Sequence, residues 1–281
     1  YIMAEQEGFV EIINAQLKSD KAQLPVFNKT AMRIQNEIAK REPDVQLIEK
    51  LIVSDQALTG EVLKVSNSSF YKGLQQITTI QQAVIRLGIN EVSNITTLIT
   101  HKNHFRSDDP VLNDIMRNLW RHSVGCAIGS HWLASHCGLH GIKHESFFAG
   151  LLHDVGKLHV LKIADNLKKN NGTGTQISNA LLTEAMDSLH AECGSELMRQ
   201  WNLPEKYCEI AREHHADEFD SKNLLLALVR MADKACHKLG IGLRKESSLV
   251  LSATPESVVL RLSEVDLANL EIFIEDTNLF Q

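Results

Sequence analysis

The sequence predicts an all-α protein, on three observations: apolar residues recur at helical spacing along the chain, alternating strand patterns of useful length are missing, and only five prolines interrupt 281 residues. That length allows one large domain or two modest ones, each able to bury a substantial core. The first helix is expected over Asn28 to Glu42, where Phe27, Ala31, Ile34 and Ile38 share a face and Pro25 lies near the start. Pro43 ends it. Asp44 then caps a helix carrying Leu47, Ile48, Leu51 and Ile52, and Asp55 caps another carrying Leu58, Val62 and Val65. Thr79 to Leu87 repeats the pattern, Gly88 stops it, and Asn90 is expected to cap a helix through Ile99.

From His101 to Pro110 the composition turns polar, which places a boundary between residues 1–108, a layer of short helices, and residues 109–281, the part that carries the chemistry. The second part opens with a long helix over Val111 to His136 and runs through an apolar segment ending in His153-Asp154 to a polar loop at Lys168 to Thr175. Two glycines in that loop do not make a phosphate cradle. Helices are then expected at Leu181 to Trp201, Glu205 to His215 and Lys222 to Leu239, followed by a terminal amphipathic helix that Thr254-Pro255-Glu256 starts.

A net charge of -6 and a pI near 6.1 supply no basic field, so a nucleic-acid polymer is not an expected partner. The five cysteines are odd in number and form no C-x-x-C pair, so they read as reduced core residues. No apolar run approaches the roughly 20 residues a bilayer requires, and Tyr1 to Glu7 lacks the basic start of a secretion signal, so the expected location is the cytoplasm with no membrane partner.

Chemistry concentrates in residues that interrupt apolar faces. On the long helix, Ile115, Leu119, His122, Cys126, Gly129 and Leu133 fall on one line, which puts His122 in the middle of an inward stripe. A lone histidine there is ordinarily a satisfied core residue. Asp233 sits in Leu224 to Ala235, apolar on nearly every side, where an ionised carboxylate is costly unless paired with a cation such as Arg230 or bound to metal. With His153-Asp154 these make a nitrogen and oxygen shell for a divalent cation. His190, His214 and His215 also fall on or beside apolar faces and could hold a second ion, with Asp154 bridging. Two cations about 3.5–4 Å apart neutralise phosphate charge and lower the pKa of an attacking water, the device of phosphoester hydrolysis. Lys157 is the candidate to contact phosphate or protonate a leaving oxygen; Arg212 and Arg230 are weaker phosphate candidates on faces expected to be solvated. The remaining histidines, His237 and His159 among them, read as surface or structural, and no nucleophile elbow points to a serine or cysteine hydrolase.

His122, His153-Asp154 and Asp233, in that order on helices, resemble the metal signature of the HD superfamily of phosphohydrolases. Adding Lys157, His190 and His214-His215 gives a set similar to the binuclear HD-GYP branch, but Ala216-Asp217-Glu218-Phe219 stands where that branch has Gly-Tyr-Pro, so the resemblance does not extend to a cyclic dinucleotide as substrate. The first half resembles the HDOD family, through Leu24-Pro25, Ile52 to Thr59, Val62 to Ser68 and Ile80 to Gly88, and the likeness runs from Leu24 to about Phe219. It implies a bacterial, all-helical signalling domain, a short-helix layer packed on an HD-type part, in a family where many members have lost the metal ligands. This chain keeps all seven. The expectation is a signalling protein that hydrolyses a phosphoester or nucleotide with one or two divalent ions, iron or manganese first and zinc or nickel next. The alternative implied by the family is a non-catalytic module with a structural metal, binding a signalling protein through short helices around Ser66 to Tyr71.

Overall fold

In the computed structural model the described residues are 11–13, 15, 29–38, 40–68, 71, 73, 75–170 and 177–276; they form thirteen α-helices and no strand. The chain divides into two compact units, one built on Phe105–Glu271 and the other on the helices that precede Phe105, with the last turns of the terminal helix from Ile272 grouped with the latter.

The earlier unit holds α1 (Lys29–Ile38), α2 (Val45–Val53), α3 (Gln56–Ser66), α4 (Ile80–Leu87) and α5 (Ile89–Lys102). Asp44 and Asp55 cap as anticipated, accepting from Leu47 N–H and Leu58 N–H at 3.0 Å each, and Thr79 caps α4 by accepting from Gln82 N–H at 3.1 Å. The apolar faces meet in a core of Ile34, Ile48, Ile52, Val62, Ile80, Val92 and Ile95 with their neighbours. The helix expected from Asn28 to Glu42 stops at Ile38, and Phe27, Asn28 and the Leu24-Pro25 pair lie outside the described residues. Asn90 is not a cap; α5 starts at Ile89, directly after Gly88. Asn67 is a structural staple, donating to Ile77 O at 2.7 Å and accepting from Ile77 N–H at 2.8 Å, while Ser69 and Phe70 of the segment named as a candidate partner contact lie outside the described residues.

The later unit contains α6 (Pro110–His136), α7 (Lys143–Leu152), α8 (Val155–Asn170), α9 (Asn179–Gln200), α10 (Glu205–Glu213), α11 (Leu224–Leu239), α12 (Pro255–Leu260) and the start of α13 (Glu264–Asp276). Asp109, just ahead of Pro110, accepts from the N–H groups of Val111 and Leu112 and anchors the long helix. α6 packs on both α7 and α11, and α9 on both α8 and α10. Two expectations are corrected. Lys168 to Asn170 form the last turn of α8, where Lys168 pairs with Asp109 at 2.8 Å and Lys169 with Asp165 at 3.1 Å, cations that suit a helix C-terminus; residues 171–175 of the expected loop lie outside the described residues. The terminal helix is two helices, because Arg261 adopts a left-handed conformation at φ 55° that ends α12. No described helix is long and apolar enough to cross a membrane.

His159, on α8, is buried at 2% exposure and neither ring nitrogen has a hydrogen-bond partner. Burial pushes its pKa down to about 4 from 6.5. Because the unfolded chain takes up this proton below about 6.5 and the folded chain only below about 4, stability falls as pH drops through that window, on the order of 3 kcal/mol from this group. His159→Leu removes the penalty and orphans no polar atom. In urea unfolding series its advantage over the wild type should grow from pH 7 to pH 4; a constant difference would contradict this account.

Candidate metal centre

The centre is assembled around the junction of α7 and α8. His153 caps α7 through its backbone N–H to Ala149 O at 2.9 Å, and Asp154 accepts from Lys157 N–H at 2.9 Å as α8 begins. Two glycines flank this junction and bring neighbouring helices to backbone contact. A Cβ on Gly150 would lie 2.6 Å from Cys126 O on α6, and one on Gly156 would lie 2.0 Å from His190 O on α9. The helices bearing His122 and His190 are thereby held against opposite sides of the His153-Asp154 step.

The two carboxylate oxygens of Asp154 face different neighbours. Oδ2 lies 3.5 Å from His122 Nε2, 3.6 Å from His153 Nε2 and 2.7 Å from Lys157 Nζ. Oδ1 lies 3.6 Å from His190 Nε2 and 3.4 Å from His214 Nε2, and those two nitrogens are 3.3 Å apart. On the first side, Asp233 Oδ1 from α11 stands 3.0 Å from His122 Nε2 and 3.8 Å from His153 Nε2. His215 joins the second side, with its ring centroid 5.2 Å from that of His190, and it alone of the seven anticipated ligands is exposed.

The hydrogen bonds on the far side of each ring decide what these nitrogens can do. Nδ1 of His122 donates to Ile241 O, Nδ1 of His153 to Gly150 O, Nδ1 of His190 to Met186 O and Nδ1 of His214 to Ala211 O, at 2.7–3.1 Å. A neutral imidazole so fixed keeps its lone pair on Nε2, and all four Nε2 atoms converge on carboxylate oxygens. His153 Nε2, Asp154 Oδ1 and Asp233 Oδ1 are buried and lack hydrogen-bond partners. Acceptors facing acceptors in a dry interior call for positive charge between them, from a metal ion or a proton. The separations also fit: donors bonded at about 2.0–2.2 Å around a tetrahedral ion stand about 3.3–3.6 Å apart. Both halves of the centre therefore suit a divalent metal ion.

Without such an ion the charges balance by proton. Burial disfavours the ionised carboxyl of Asp154, but Lys157 and His153 outweigh it and hold its pKa well below the ordinary range. Burial opposes protonation of His153, yet Asp154 and Asp233 raise its pKa above the ordinary imidazole value.

The loop after α11 closes over His122. Gly242 has φ 123° and a Cβ there would sit 2.9 Å from the His122 Cβ, so this glycine lets Ile241 O reach Nδ1. Arg230 does not serve Asp233 and is not solvated, contrary to both sequence readings. It is buried, its Nε donating to Glu256 Oε1 at 2.6 Å and its Nη1 to the carbonyls of Glu213, His214 and Ala216 at 2.8–3.1 Å, while its guanidinium lies over Phe219. It ties the C-terminal end of α10, and so His214, to α11 and α12. Arg212 pairs with its neighbour Glu213 on the exposed side.

Two nearby residues were not anticipated. His237, one turn beyond Asp233, is 3.7 Å from its Oδ1 and stacks on His122 with centroids 5.1 Å apart. Cys126, read as core, has its Sγ 3.5 Å from His122 Nε2. Spacing of four residues from an anticipated ligand was the available signal in both cases.

Fold and centre together define an all-helical protein with a buried histidine–aspartate cluster of metal-binding composition. The HDOD domain model matches residues 24–217, and the chain belongs to the HDOD domain family. An uncharacterized protein of Treponema pallidum (strain Nichols) is 29% identical over 199 residues, covering 68% of this chain and 37% of that relative. YuxH of Bacillus subtilis (strain 168), also uncharacterized, is 30% identical over 82 residues, covering 29% of this chain and 20% of the relative. The chain thus spans well under half the length of either. Among solved structures, an HDOD domain protein of unknown function from Geobacter sulfurreducens superposes with a TM-score of 0.71 at 21% identity, covering 97% of this chain and 94% of that one. A Shewanella amazonensis protein provisionally named a metal-dependent phosphohydrolase gives 0.69 at 19% identity, with 96% and 99% covered. A Marinobacter aquaeolei protein provisionally named a signal transduction protein gives 0.67 at 17%, with 98% and 64% covered. At these identities the likeness establishes the all-α fold.

Proposed function

We propose that the chain is a cytoplasmic bacterial signalling protein whose centre holds two divalent cations and hydrolyses a phosphoester of a small phosphorylated molecule or nucleotide. The observation that carries this is Asp154, whose two oxygens serve two separate sets of inward-facing imidazoles. His122, His153 and Asp233 would hold one ion and His190, His214 and His215 the other, with Asp154 shared. Bound there, divalent ions would neutralise phosphate charge and ease deprotonation of an attacking water.

The chain's own groups supply the rest. Lys157, an ammonium at 2.7 Å from Asp154 Oδ2 and only 7% exposed, holds a proton at Nζ beside the centre and is the group to pass it to a leaving oxygen. Exposed His215 beside buried His214 marks the side from which a phosphate would enter. Imidazole and carboxylate donors favour iron or manganese, with zinc and nickel compatible.

Protein produced with iron and manganese supplied should contain two ions per chain by elemental analysis and release phosphate from members of a phosphomonoester, phosphodiester and nucleotide panel. His153→Ala with Asp154→Ala should abolish both. Absence of stoichiometric metal would sink the proposal at its first step. Metal-loaded protein without turnover across the panel would instead assign the chain to interaction modules with a structural ion and a signalling protein as partner.

A further inference from the structure

We propose that Cys126 is a thiolate ligand of the ion held by His122, His153 and Asp233, which makes that half of the centre selective for zinc(II) or iron(II) over manganese(II) and magnesium(II). The inference rests on the metal-binding part of the function proposed above.

Cys126 follows His122 by four residues on α6, so both side chains leave the same face one turn apart. Its Sγ is 3.5 Å from His122 Nε2 and lies, with His153 nitrogen and Asp233 oxygen, in one group whose ligand atoms are all within 4.8 Å of one another. Around a tetrahedral ion with nitrogen at about 2.0–2.1 Å and sulfur at about 2.3 Å, a nitrogen–sulfur edge is about 3.6 Å. The observed 3.5 Å edge meets that requirement.

An independent observation points to the same place. His153 Nε2 and Asp233 Oδ1, on residues 0% and 3% exposed, have no hydrogen-bond partner and converge on this group. Cys126 itself is fully buried, and its carbonyl is pressed against Gly150, so the backbone that presents the thiol is fixed relative to His153.

The rival arrangement is a neutral thiol that donates its hydrogen to His122 Nε2. On metal binding the metal–sulfur bond replaces the S–H bond and the proton leaves to solvent; no electron is transferred. The other half of the centre, Asp154, His190, His214 and His215, offers nitrogen and oxygen alone. The Cys126 half would therefore be the softer of the two, since a thiolate favours zinc and iron(II), whereas manganese and magnesium suit carboxylate, carbonyl and water ligands.

The full chain, stripped with a chelator and titrated with cobalt(II), should develop a sulfur-to-cobalt charge-transfer band in the near ultraviolet that saturates at the first of two equivalents. Cys126→Ala should keep the visible cobalt bands, lose the ultraviolet band, and bind zinc in that half at least about tenfold more weakly, since even indirect supports of a metal site cost that much. Cys236→Ala, which removes the neighbouring thiol that helps hold the Cys126 pKa up, should keep the band. Cobalt bound by the wild type with visible bands and no sulfur band overturns this inference alone, as does a band that survives in Cys126→Ala. Failure to bind cobalt at all overturns the metal reading and this inference with it. The wild-type spectrum decides the matter even if the alanine variant does not fold, and Cys126→Ser then serves as the second variant.

Discussion

Asp154→Asn will empty both halves of the centre and destabilise the metal-free protein. The substitution preserves shape while removing the charge that both sets of imidazoles share, so elemental analysis should find neither ion. Lys157 then keeps its ammonium in a 7% exposed position with no carboxylate 2.7 Å away. Breaking one side of a buried ion pair costs about 3–5 kcal/mol, which urea unfolding of the chelated protein would measure. Asp233→Asn provides the contrast: its carboxylate faces His122, His153 and His237, all on one half of the centre, so it should release one ion and spare the other. Equal metal content in wild type and Asp154→Asn would remove Asp154 from the bridging position.

Gly156→Ala should cost comparable stability and empty one half of the centre, although it touches no ligand side chain. The added Cβ would stand 2.0 Å from His190 O and 2.8 Å from Gly194 N, both backbone atoms that cannot swing aside. α8 and α9 must therefore separate, at a cost of about 3 kcal/mol or more given that ordinary overpacking costs 1–3. Separation carries His190 away from Asp154 Oδ1, now 3.6 Å from its Nε2. The expected result is a lowered melting temperature and selective loss of the ion on the His190–His214 side. The His122–His153–Asp233 side, which meets the junction through Gly150, should keep its ion; loss of both ions, or of neither, would count against the glycine contact as the determinant of this spacing.

Much of this architecture was legible in the sequence because it depends on local rules. Asp44 and Asp55 announce helix starts by chemistry that acts over three residues, and both cap as expected; Thr79 and Asp109 cap in the same way without having been singled out as caps. The seven anticipated ligands stood out because a polar side chain on an apolar face must find a partner, and the structure gathers all seven around the α7–α8 junction. What escaped depends on contacts between distant segments. Arg230 looked like a counter-ion for Asp233, three residues away, yet its carboxylate is Glu256, brought near by a turn that no spacing rule specifies. His237 was indistinguishable from other histidines until α11 packed on α6. Cys126 was ambiguous for another reason: a thiol and a small apolar residue satisfy the same helical stripe. The break at Arg261 carried neither glycine nor proline to mark it.

The main-chain carbonyls that hold Nδ1 of His122, His153, His190 and His214 have a thermodynamic consequence for ion capture. A flexible site must freeze its ligands when the ion arrives, and that loss of rotamer entropy weakens binding. Here four imidazoles have lost that freedom already, during folding, with lone pairs left pointing inward. Capture of an ion would then involve little reordering of the protein, and ions would be sorted by how well they fit a cage that exists before they enter.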